Sequence, residues 1–238
     1  MSSKAILRGA LLGLALLTGL DAQGGVTAER TRVIVAEGQR ETSLLLVNQN
    51  PYPVIVQTWI DDGAPDSSPQ TARAPIMPLP PLFRLDPEQQ RSLRLLRTGQ
   101  ALPGDRESLY WLNLYEIPPQ ATGPAAEGQS RLTVTLRTQM KVIYRPRPLA
   151  RGAEQAPRQL RFERRGETLR VENPTPYFIS LAGVELGGDI RLTAAELLPP
   201  FSRHSLALRQ ALPGGQAEVR FSWIDDGGNL QQGRSPLR

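Results

Sequence analysis

Arg131 to Arg145 reads RLTVTLRTQMKVIYR, and its period is two. Leu132, Val134, Leu136, Met140 and Val142 share one parity, while Thr133, Thr135, Arg137, Gln139 and Lys141 take the other. Alternation of this kind marks a β-strand with one apolar row. No Pro or Gly interrupts the run, which exceeds the roughly five or six residues usual for a strand in a globular domain. A long apolar strand at a sheet edge exposes unpaired N–H and C=O groups and templates pairing with another chain. Such a strand is either buried in its own core or built to pair with something else.

The surrounding text is also β-rich. Val26 to Ala36, Thr42 to Asn48, Val54 to Asp61, Arg91 to Leu96 and Ser108 to Glu116 are short runs of Val, Leu, Ile, Thr and aromatics, separated by turn clusters such as Asn48-Gln49-Asn50-Pro51. With the long strand they predict an antiparallel sandwich of about seven strands. Arg145-Pro146-Arg147-Pro148 then ends the strand, because each proline fixes φ and removes a donor. Gln159 to Arg164, Thr168 to Asn173, Phe178 to Leu186, Ser205 to Leu208 and Ala217 to Asp225 repeat the pattern and predict a second, smaller sandwich. The fold class is all-β, and no helix of three turns is expected.

Met1 to Ala22 has Lys4 and Arg8 ahead of an apolar run from Gly9 to Leu20, the layout of a secretory signal peptide with cleavage after Ala22. No other stretch reaches the roughly 20 apolar residues of a membrane helix, so no membrane insertion of the mature chain is expected. The expected organisation is a signal peptide at 1–22, a first domain at 23–146 containing the strand at 131–145, and a second domain at 147–238. Removing the first 22 of 238 residues takes away two positive charges and one negative, so the net charge falls from +5 to +4. These charges are dispersed and aromatics are few, which disfavours nucleic acid. There is no cysteine, so thiol catalysis, cysteine metal sites and disulfides are excluded.

Catalytic chemistry finds little to work with. His204 is the only histidine, and a triad or metal centre would have to be completed entirely by carboxylates and hydroxyls. Asp61/Asp62 and Asp225/Asp226 are adjacent pairs in two copies of WIDDG. Neighbours on a strand point to opposite faces, so neither pair makes the facing carboxylates of a glycosidase; both read as acidic turns. No enzyme activity, cofactor or metal is expected. Lys141 is the only lysine beyond Lys4. A compact ammonium in a chain that otherwise uses arginine points to a position chosen for shape.

The chain resembles the periplasmic pilus-assembly chaperones of Gram-negative bacteria. The matching strings, in the family's order, are Glu29-Arg30-Thr31-Arg32, Arg84-Leu85-Asp86-Pro87, Asp105 to Leu109, Asn113 to Pro119, Lys141 to Pro146, Glu172 to Tyr177 and Asp226-Gly227-Gly228. The resemblance implies two immunoglobulin-like β-sandwich domains joined at an angle. It also implies donor-strand complementation of pilus subunits, which are sandwiches lacking a strand, and their delivery to an outer-membrane usher. Leu132, Val134 and Leu136 match the donor row. Arg32 and Lys141 match the pair that grips the subunit's C-terminal carboxylate, and Glu107, Arg145 and Asp226 match a charge set that bridges the two domains. The loop before Leu132, QATGPAAEGQSR, fits the short-loop branch, and without the C-terminal disulfide of some members Arg234 to Arg238 is expected to fray. A secreted fibre component is the alternative reading. It would need an incomplete sandwich or an N-terminal donor extension, and Gln23-Gly24-Gly25 is too short to be one.

Overall fold

The computed structural model describes residues 24–120, 134–186, 190–192, 195–208 and 218–238. The expected signal peptide, the loop ahead of the long strand and Leu132 lie outside the described residues. Among the described residues nine strands precede Pro146: β1 Val26–Ala28, β2 Arg32–Ala36, β3 Glu41–Asn48, β4 Val54–Asp61, β5 Ile76–Leu79, β6 Leu82–Leu85, β7 Gln90–Arg97, β8 Ser108–Ile117 and β9 Leu136–Arg145. They form two sheets, β1-β3-β7-β5 and β2-β9-β8-β4-β6. In β3 and β7, Leu44, Leu46, Leu93 and Leu95 are fully buried and alternate with more exposed positions, the alternation expected of a sheet with one wet face. They meet Val33, Val56, Leu112 and Val142 from the other sheet.

The sequence pattern falls short of this sandwich in three places. Two extra strands, β5 and β6, come from the proline-rich IMPLPPLFRL. Pro78 is accommodated because β5 is an edge strand, where a missing donor leaves no ladder bond unmade. Second, the run Val26 to Ala36 is two strands in different sheets: β1 pairs antiparallel with β3, and β2 pairs parallel with β9. A wholly antiparallel sandwich is therefore corrected, since one chain segment crosses between layers and stitches them together. Third, β9 starts at Leu136 instead of Arg131. Its neighbour β8 ends at Ile117 before Pro118 and Pro119, and among the described residues Val134 and Thr135 have no strand partner to hold them in a ladder.

The second sandwich comprises β10 Arg161–Arg165, β11 Thr168–Asn173, β12 Ile179–Leu186, β13 Ile190–Leu192, β14 Glu196–Leu198, β15 Ser202–Ala207, β16 Glu218–Ile224 and β17 Leu230–Pro236. The sheets are β10-β11-β15 and β13-β12-β16-β17, with β14 also on β12. Its core joins Phe162, Leu169, Val171 and Leu181 to Phe221 and Trp223. Two single-turn 3₁₀ helices, Arg147–Leu149 and Ala156–Gln159, connect the halves. The C-terminus is tied and not frayed. The Arg238 amide donates to Phe162 O at 3.0 Å and the Arg164 amide to Arg238 O at 2.8 Å, which satisfies the outer edge of β10 and brings Leu237 against the core.

Candidate functional site

The free edge of β9 is the first feature of the site. β8 pairs with it from Ser108↔Tyr144 to Glu116↔Leu136. On the other side β2 covers only Lys141 to Arg145. Among the described residues, Leu136 to Met140 thus have a strand on one edge alone. Their parity changes surroundings along the strand. Met140, Val142 and Tyr144 are buried in the first core, whereas Leu136 is 49% exposed and Val134, on the same parity, 56% exposed. The apolar row serves its own domain at one end and leaves it at the other. Exposed apolar side chains beside unpaired backbone are costly to keep in water and favour pairing with an added strand.

The second feature is a cleft between the sandwiches. Arg32 and Lys141 face each other directly in the β2–β9 register, on the strand face opposite the apolar row. Arg32 is 7% exposed. Its Nη1 donates to Ile224 O at 3.1 Å and to Ser180 Oγ at 3.3 Å. Lys141 Nζ donates to the same hydroxyl at 3.1 Å and stands 6.0 Å from the Trp111 ring centroid. Neither cation has a carboxylate within ion-pairing distance among the described residues, and Arg32 Nε is buried without a partner. Burial, then the neighbouring Arg32 charge, lowers the Lys141 pKa; burial lowers that of Arg32, with Asp226 and Asp225 opposing. Two cations withdrawn from water and held by neutral acceptors are an anion site by chemistry.

Such a site costs stability, and the sign can be checked. A lysine whose folded pKa lies below its unfolded value of 10.5 binds fewer protons when folded, so stability rises with pH between those two values. Lys141→Met, which removes the desolvated charge, is expected to raise the Tm of the free protein at neutral pH. The gain should shrink as pH approaches 10.5. Thermal melts at pH 7 and pH 10 check this; a variant that melts lower at pH 7 would contradict it.

Glu107, Arg145 and Asp226 come together as a bridge. Arg145 Nε meets Glu107 Oε1 at 2.6 Å and Arg145 Nη1 meets Asp226 Oδ2 at 2.7 Å, with Nη2 to Asp226 Oδ1 at 3.2 Å. Glu107 Oε2 accepts the Phe178 amide at 2.8 Å, and the Glu107 amide donates to Pro176 O at 2.9 Å. Glu107 and Arg145 are buried while Asp226 is partly exposed. A bidentate guanidinium between two carboxylates is a directional joint as well as an ion pair.

Pattern reading missed a second buried network beside the free edge. Asp61, 1% exposed, and Asn113, 0% exposed, are joined by Asn113 Nδ2 donating to Asp61 Oδ2 at 2.6 Å. Asn113 Oδ1 accepts from Arg137 Nε and Gln139 Nε2, both at 2.9 Å, and the Arg137 guanidinium lies 5.0 Å from the Trp59 ring centroid. These contacts fix the polar face of β9 just where its edge is open. The signal was the alternation of Arg137 and Gln139 in the long strand. The turn reading of both WIDDG copies also stands: Asp61 accepts the Gly63 amide and Asp225 the Asn229 amide, each at 2.8 Å.

Comparison with known proteins identifies the family of the chain. Residues 25–150 match the family model "Pili and flagellar-assembly chaperone, PapD N-terminal domain", and residues 155–235 match "Pili assembly chaperone PapD, C-terminal domain". The chain is 36% identical over 230 residues to the chaperone protein FimB/FhaD of Bordetella pertussis, covering 93% of this chain and 92% of that protein. It is 32% identical over 229 residues to the chaperone protein FimC of Escherichia coli strain K12, covering 94% and 89%. Its fold is similar to a chain of the Salmonella enterica complex of SafA pilin with the SafB chaperone, with a TM-score of 0.77, 33% identity, and coverage of 90% of this chain and 96% of that one. Two complete immunoglobulin-like sandwiches with both family models in order place the chain in the PapD-like family of pilus-assembly chaperones.

Proposed function

We propose that this chaperone is exported to the periplasm, lends β9 to pilus subunits that lack a strand, anchors their C-terminal carboxylate on Arg32 and Lys141, and passes them to an outer-membrane usher. The observation that carries this reading is the conjunction on one strand. Leu136 and Val134 present an apolar row beside an open edge, and a few residues on, Lys141 turns to the opposite face with Arg32. An incoming strand would gain ladder hydrogen bonds from the edge and bury the row, while its terminal carboxylate meets two cations. Leu132 extends the row by parity. The loop composition supports the short-loop branch and rod-like pili, and Pro146 is the proposed boundary between the domains.

The same reading gives Glu107, Arg145 and Asp226 the task of holding the two sandwiches in register around the cleft. Asp226→Ala is expected to leave each sandwich folded and to loosen the joint, since Arg145 keeps Glu107 but loses its ion pair to the second sandwich. The stability loss should be about 1 kcal/mol, because Asp226 is partly exposed. Solution scattering should show a broader distribution of shapes; an unchanged profile with unchanged subunit yield would remove the bridging role.

The direct test is recovery of the protein from the periplasm of cells that assemble its pilus. A single small subunit should co-purify in equal amount and dissociate when an excess of a donor-strand peptide is added. Recovery of the chaperone alone, under conditions where pili are made, would overturn the proposal.

A further inference from the structure

Ser180 lies on β12 of the second sandwich and is 8% exposed. Its hydroxyl is where the two cleft cations converge: Lys141 Nζ donates to it at 3.1 Å and Arg32 Nη1 at 3.3 Å. Ammonium and guanidinium groups have donors only, so both lone pairs of the hydroxyl oxygen are used as acceptors. Its proton must therefore point away from both cations. No acceptor for it is found among the described residues. A hydroxyl oriented by two positive charges, with its proton unspent, complements a ligand that carries negative charge and accepts hydrogen bonds.

We propose that Ser180 is a third binding group of the carboxylate site, donating its O–H to the terminal carboxylate that Arg32 and Lys141 attract. This rests on the reading of those two residues as the anchor. The first sandwich then supplies charge, and the second supplies a directional donor that an uncharged terminal amide uses less well. The placement also explains why the bridge and the cleft occur together. Ser180 follows by two residues Phe178, whose amide Glu107 holds at 2.8 Å. Ile224, whose carbonyl accepts from Arg32 at 3.1 Å, precedes by two residues Asp226, which Arg145 holds at 2.7 Å. The same two segments of the second sandwich carry both the joint and the neutral ligands of the cations, so the joint sets the distance from Ser180 to the site.

Lys141 offers a probe, because labelled lysine in the chain without its leader gives one side-chain resonance, displaced by the nearby Trp111 ring. N-acetylglycine as the free acid is titrated against the wild type, Arg32→Ala, Ser180→Ala, Ser180→Val and Ser180→Thr, with N-acetylglycinamide as the control. The free acid should shift the Lys141 signal saturably in the wild type and in Ser180→Thr, which restores the hydroxyl. Ser180→Ala and its larger counterpart Ser180→Val should bind about tenfold more weakly, as loss of one charge-assisted hydrogen bond requires. Equal affinity of wild type and Ser180→Ala, with binding lost in Arg32→Ala, would overturn the role of Ser180 and leave the anchor intact. Equal response to acid and amide in the wild type would overturn both. Weak binding by Ser180→Thr as well as Ser180→Val would assign the effect to packing and also overturn the role of the hydroxyl.

Discussion

Leu136→Asp is expected to leave a folded chaperone that no longer holds a subunit. In the free chain Leu136 is half exposed, beyond the point where its row enters the first core, and a polar residue there should change stability by no more than about 0.5 kcal/mol. In the complex the same side chain would fill an apolar groove. Losing the leucine removes about 1.5–3 kcal/mol of burial. An aspartate must also take up a proton to enter, which at pH 7 costs about 4 kcal/mol from its ordinary pKa. The combined loss of roughly 6 kcal/mol weakens capture by more than a thousandfold. Circular dichroism with pull-down of subunit checks both halves. A variant that unfolds by itself would assign Leu136 to the home core, and one that captures normally would remove it from the donor row. Met140→Asp is the control on the same parity: Met140 is 4% exposed, so that substitution should unfold the first sandwich.

Arg32→Ala and Lys141→Ala should each reduce capture by about ten- to a hundredfold from binding energy alone, since a charge-assisted hydrogen bond to a carboxylate contributes roughly 1.5–3 kcal/mol. The larger consequence is for register. A strand slipped by one residue turns its apolar set away from the groove, and an anchored C-terminus fixes the alignment. Lys141→Arg separates charge from shape. It keeps the cation, but a planar guanidinium beside Arg32 must share one small hydroxyl with another fork, so capture should be impaired less than in Lys141→Ala. Both are measured against the same subunit. Wild-type capture by Lys141→Ala would end the anchor reading; wild-type capture by Lys141→Arg would end only the argument from shape. Neither alanine variant should unfold the free protein, because neither cation has a carboxylate to leave behind among the described residues and what is lost is hydrogen bonding to Ser180 and Ile224.

The two substitutions show which parts of the site periodicity can reach. Alternation in RLTVTLRTQMKVIYR was enough to place Leu136 and Lys141 on opposite faces, because a strand's period of two is a property of the local backbone. The same local rule located β3, β4, β7 and β8 to within a residue or two, and proline chemistry marked the end of β9. Local rules failed where a neighbour decided the outcome. Pro78 would break a central strand but is tolerated in β5, which has a partner on one side only. Val26 to Ala36 reads as one strand because its apolar content is continuous, yet β1 and β2 lie in different sheets.

What the sequence by itself determined was the all-β class and the division into two β-rich halves; its resemblance to a family supplied the eight residues proposed for the site. The tertiary structure alone decided that the apolar row of β9 is buried at Met140, which packs in the first core, and exposed at Leu136, which lies beyond it. It also decided that Arg32 and Lys141 converge on Ser180, and it supplied the contacts by which Arg145 meets Glu107 and Asp226. Ser180 stands in no motif, and Asn113 stands in one that gives no hint of its hydrogen bonds. Polar groups acquire such roles from partners far away in the chain, 148 residues for Arg32 and Ser180 and 52 for Asp61 and Asn113. A hydrogen bond depends on where two atoms end up, whereas strand alternation depends only on which residues are neighbours.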